Sequence, residues 1–87
     1  MGTTVTRLKS LKNRIKDKMT HMEFDTIADY VEVGMQEDII SNGYDLQEYV
    51  STLKNLLWDM DESSEYTLRT NTQKIHDVID SIISKLQ

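Results

Sequence analysis

Residues 45–61, DLQEYVSTLKNLLWDMD, decide the fold. Leu46, Tyr49, Val50, Leu53, Leu56, Leu57 and Met60 recur at the spacing of an amphipathic helix and form the most apolar stripe of the chain. Asp45 and Glu48 stand three residues apart, the capping-box spacing that opens a helix. A segment this apolar needs a partner to bury it, and the residues on either side supply candidates.

Upstream, Thr20-His21-Met22-Glu23 repeats the capping-box spacing, and Phe24, Ile27, Ala28, Val31, Met35 and Ile39 follow at helical intervals. Ser41-Asn42-Gly43 supplies the left-handed stop of a helix C-terminus, and so short a connection makes this helix the antiparallel neighbour of the next. Within the same span Tyr30-Val31-Glu32-Val33-Gly34 alternates as a strand would, a second pattern laid over the first. Further upstream, Leu8, Leu11, Ile15, Met19 and Met22 define a narrow stripe, with Thr3 or Thr4 as its cap. Downstream, Asp61-Glu62-Ser63-Ser64 breaks the pattern. Leu68, Ile75, Val78, Ile79, Ile82, Ile83 and Leu86 then form a last helix whose start falls between Ser64 and Thr72. Its Ile-rich positions suit a bundle or a coiled-coil seam.

These segments predict one all-α domain over 1–87: a basic first helix over about 4–20, acidic helices over about 21–41 and 45–61, and a C-terminal helix from 64 or 72 to 86. The architecture expected is a small three- or four-helix antiparallel bundle, with homodimerisation as a way to complete a thin core. At 38% hydrophobic and 29% charged residues the chain is patterned for folding, and it lacks the uncharged run of about 18 residues that a membrane span requires. Without cysteine, disulfides and thiolate chemistry are excluded. The opening residues have no signal-peptide character, which makes the cytoplasm the expected location.

Charge is divided along the chain. Residues 1–21 carry Arg7, Lys9, Lys12, Arg14, Lys16 and Lys18 against Asp17 alone, whereas residues 22–65 carry twelve carboxylates against Lys54 alone. On the first helix Arg7, Arg14 and Lys18 line one edge of the apolar stripe and Lys9, Lys12 and Lys16 the other. The expectation that costs least is that these cations reach the carboxylates of the second and third helices, within the chain or across a dimer. The same six residues are also an alternative anion-binding set, which in a dimer would meet the phosphates of nucleic acid.

No phosphate-binding glycine loop, HExxH, GxSxG or calcium-loop pattern occurs, so an enzyme is not expected, and neither is a cofactor or a metal. His76 with Asp80 gives only one helical pair, too few ligands for a metal. Apolar residues off the stripes carry a different signal. Val33 and Ile40 lie opposite the Phe24–Ile39 stripe, and Trp58 lies off the core direction of its helix; packing within the bundle or docking to a partner would each explain them. Ringed by acidic residues, they suit a basic partner. The expected function is therefore a non-enzymatic acidic helical binding protein. It would dock on a basic surface of a larger protein and inhibit or modulate it, with carboxylates able to imitate nucleic-acid phosphates. Size and acidity match those of small phage and bacterial regulators, an analogy that no motif carries. The expected partner-binding residues are Asp29, Val33, Glu37, Asp38, Ile40, Trp58, Asp59, Asp61 and Glu62. A nucleic-acid-binding dimer and an assembly adaptor built on the Ile75–Leu86 seam are the alternatives.

Overall fold

Thr20 marks the start of the second helix of the chain. Its backbone is extended, with φ −70° and ψ 159°, and its Oγ1 accepts a hydrogen bond from the Glu23 amide at 3.1 Å. A residue held this way starts a helix and cannot sit inside one. The capping spacing at Thr20–Glu23 is thus realised, and it stops the first helix from running to residue 20. In the computed structural model, which describes residues 2–62 and 65–87 and only the backbone of residues 2, 3, 42, 44 and 45, that helix is α1, Gly2–Arg14. The cap proposed at Thr3 and the capping box at Asp45 lie outside the described side chains, as do Ser63 and Ser64 altogether.

After α1 come β1 (Lys18–Met19), α2 (His21–Asp29), a π-helical turn (Tyr30–Gly34), α3 (Gln36–Asn42), α4 (Tyr44–Trp58), β2 (Met60–Asp61), β3 (Tyr66–Leu68) and α5 (Thr72–Leu86). The protein is mostly helical, but the expectation of an all-α fold is corrected by a small antiparallel sheet in the order β1-β3-β2. Lys18 pairs with Thr67, and Met60 with Leu68. Met19, Met60 and Leu68, each assigned by spacing to a helical stripe, reach the core from these strands instead. Their extended backbone finds partners across the sheet and just beyond it, where the Leu68 amide donates to the Asp17 carbonyl at 2.9 Å and that of Arg69 to Asp59 at 3.1 Å.

The last helix begins at Thr72 because Asn71 caps it. Its extended backbone ends β3's excursion, and its side-chain oxygen accepts from the Gln73 amide at 2.8 Å. Gly43, at φ 83°, makes the predicted left-handed break between α3 and α4. The strand-like run at 30–34 is neither strand nor ordinary helix. There the Met35 amide donates to the Tyr30 carbonyl at 3.1 Å, one residue further back than in an α-helix, and the helical path continues through it.

One core joins the elements. Ile75, Ile79 and Ile82 of α5 are fully buried, together with Leu8 of α1, Ile27 and Met35 of the second helical stretch, and Leu57 of α4. Helix α5 packs against both α1 and α4, and α3 and the π-turn also pack on α4. The isoleucine seam offered for self-association is therefore consumed inside the chain. Met22, assigned to the first apolar stripe, is 79% exposed because β1 and the Thr20 cap re-aim the backbone before it.

Candidate functional site

The helical stretch over 21–42, here called the rod, joins α2, the π-helical turn and α3 end to end through Met35. One side of the rod packs Phe24, Ile27, Val31 and Met35 into the core. The opposite side holds Val33 and Ile40, which are 69% and 82% exposed, with Asp29, Glu32 and Glu37 also in solvent. Beside them a groove of about 270 Å³ runs between the rod and α4, with Gln36 and Ile40 on one wall, Gln47 and Lys54 on the other, and Val31 and Val50 beneath. Packing within the chain thus does not account for Val33 and Ile40.

Asp38 behaves differently from the other carboxylates on the rod. It is half-buried and accepts a hydrogen bond from the Thr4 Oγ1 at 3.1 Å, which ties α3 to the start of α1. Its position is that of a clamp between helices.

Trp58 lies at the far end of the rod. Its ring meets Phe24 edge-on, with centroids 5.4 Å apart, and Tyr66 packs on Phe24 at 4.7 Å and on His21 at 4.5 Å. The indole is therefore a lid on the core that remains 38% exposed, both packed and accessible. Asp59 approaches Arg69 at 4.0 Å, Asp61 pairs with Thr67 in the sheet, and Glu62 is exposed. Phe24 lies in α2 and Ile40 in α3, with the π-turn between them. The nine residues expected to bind a partner thus form two patches, Asp29–Val33–Glu37–Ile40 and Trp58–Asp59–Asp61–Glu62, with Asp38 outside both.

Within the chain, and among the described residues, no cation of the first segment makes an ion pair with a carboxylate of the second or third helix. Lys12 alone makes an ion pair with a described residue, and its partner is Asp80 of α5, at 2.8 Å. Helix α1 lies on α5, an adjacency that local periodicity does not encode. Lys9, Arg14, Lys16 and Lys18 are exposed. The Arg7 guanidinium sits 5.8 Å above the centre of the Tyr30 ring. Gly34 makes room for that ring, since a Cβ there would fall 2.6 Å from Tyr30 Cδ2. Burial raises the Tyr30 phenol above its ordinary pKa; a hydrogen bond with Thr4 opposes the rise, the Asp38 charge adds to it and Arg7 opposes it. Thr4, Tyr30 and Gly34 were not picked out as site residues by sequence reasoning. The alternation at 30–34 was the one available signal.

Among the described residues, no three His, Asp or Glu side chains converge as a metal cage, and no helix is long and apolar enough to cross a membrane. His76, considered as a ligand, places Nε2 3.3 Å from the Ile15 carbonyl just beyond α1, where it donates if that nitrogen carries the proton. Compared with known proteins, the chain matches no family model, no curated protein and no solved structure.

Proposed function

We propose that this is a non-enzymatic binding protein that docks the acidic side of its rod onto a basic surface of a larger protein and inhibits or modulates it. The observation that carries this reading is the exposure of Val33 and Ile40 among Asp29, Glu32 and Glu37. Two large aliphatic side chains in water gain about 1.5–3 kcal/mol each when fully covered, enough to anchor a complex that the carboxylates steer. Spaced along one rod, those carboxylates also have the form of a phosphate mimic, which makes a nucleic-acid-binding groove a suitable target. Trp58 and Glu62, at the other end, form a second contact for a partner long enough to span the rod.

The test is quantitative capture from the source cells by wild type, by Val33→Ser/Ile40→Ser and by Asp29→Lys/Glu37→Lys. The expected result is one basic protein, released by salt and lost from both variants. Captured species that are identical across all three proteins would discard this surface. A second copy of the chain is the competing occupant, and light scattering that stays monomeric at high concentration removes it.

A further inference from the structure

A second cleft lies between α1 and the rod. Arg7, Ser10, Leu11 and Arg14 follow one face of α1, and Thr26 and Tyr30 stand one turn apart on the facing helix and its π-turn. The cleft has a volume of about 260 Å³. Leu11, which is buried, and the Tyr30 ring, over which Arg7 lies and for which Gly34 leaves room, supply its apolar surface. Among the described residues, no carboxylate side chain lines this cleft. Arg14 has no ion-pair partner among the described residues.

We propose that this cleft binds a phosphate ester, with the phosphate between Arg7 and Arg14 and the organic part on Leu11 against Tyr30. The Thr26 hydroxyl already donates to the Met22 carbonyl at 3.0 Å. The donors left for an anion are the two guanidinium groups and Ser10. Together they offer more hydrogen bonds and more positive charge than one carboxylate can use, and they match the three terminal oxygens of a phosphate monoester. The volume falls just below the range of small-molecule sites, which begins at about 300 Å³, so it suits a single ring or a short chain. This site shares no residue with the acidic side of the rod, and either can fail without the other.

The experiment is a titration of the full chain with phenyl phosphate, inorganic phosphate and a short oligothymidylate, followed by calorimetry and by amide chemical shifts. Phenyl phosphate should bind more tightly than inorganic phosphate, with shifts centred on residues 10–14 and 26–30. Arg14→Gln should weaken binding by about tenfold or more, the loss expected for a charge-assisted hydrogen bond. Ser10→Asp, a surface change that leaves the core intact, should abolish it. Lys9→Gln/Lys16→Gln removes charge from the other edge of the same helix and should weaken binding by less than about twofold, since exposed charges there are screened. Binding led by phenyl phosphate assigns the cleft to a small phosphorylated molecule. Binding led by the oligonucleotide, with the same dependence on Arg14 and Ser10, assigns it to a nucleic-acid phosphate. The proposal is overturned if no phosphate probe saturates the folded protein, if Ser10→Asp binds normally, or if the two lysines matter as much as Arg14.

Discussion

Helix α5 and the rod over 21–42 are both amphipathic, and they differ in what they leave uncovered. In α5 the large aliphatic residues turn inward, with Ile75, Ile79 and Ile82 fully buried and Val78 and Leu86 packed at the margin. The rod buries an equally regular stripe and then sets Met22, Val33 and Ile40 in water. A helix that serves only the core has no use for those three. The difference separates residues that hold the fold together from residues left in solvent, and those left in solvent lie on the rod.

The comparison is broken most directly by truncating one isoleucine on each element. Ile79→Ala should cost about 2–5 kcal/mol in chemical denaturation, a large part of the stability of a small domain. Ile40→Ala should change stability by no more than about 0.5 kcal/mol. Comparable losses at both sites would mean that Ile40 is packed, and the docking surface would go with it.

The π-turn offers a sharper test, because its outcome changes sign. Gly34→Ala forces a Cβ against the Tyr30 ring and should destabilise by about 1–3 kcal/mol as an overpacked site. In a Tyr30→Ala background the same substitution should stabilise by about 0.5–1 kcal/mol, since alanine is the better helix former. A loss in both backgrounds would show that Gly34 answers to the backbone and not to the ring. The caps come next: Asn71→Ala on α5 and Thr20→Ala on the rod should each cost about 1 kcal/mol, read from thermal melts.

The smallest effect is a pH dependence. Because the Tyr30 phenol is raised in the folded state, the unfolded chain releases that proton first as pH climbs. Stability should therefore fall on the alkaline side, beginning at the ordinary tyrosine pKa and ending above the raised one. Tyr30→Phe should flatten that limb of the stability profile; an unchanged slope would place the titration elsewhere.

Much of the helical content is legible in the residues. The cap at Thr20, the break at Gly43 and the buried stripes of α2, α4 and α5 follow from local spacing and side-chain chemistry. The sheet does not. Its strands are two or three residues long, too short for an alternation to register, and they pair Lys18 with Thr67 across most of the chain. Met19, Met60 and Leu68 also fit helical stripes by count, so nothing local distinguishes their extended backbone. The Lys12–Asp80 pair is hidden from the sequence for a related reason: periodicity gives each helix a buried face but does not say which helix lies against it. Of the candidate site, the position of Val33 and Ile40 opposite the stripe is legible, but it fits packing as well as exposure, and only the structure shows them in water. The clamp role of Asp38 and the cradle around Tyr30 depend on where α1 crosses the rod.

The contact between α1 and α5 also has a consequence for the order of folding. Lys12 and Asp80 are 68 residues apart, and β1 cannot pair until β3 exists. The first helix therefore gains its contacts with α5 only when nearly the whole chain is present. The antiparallel pair of α3 and α4 needs only its own short connection and can form early. Seating the first helix on α5 closes a long loop, and the entropy of that closure slows the formation of such non-local contacts.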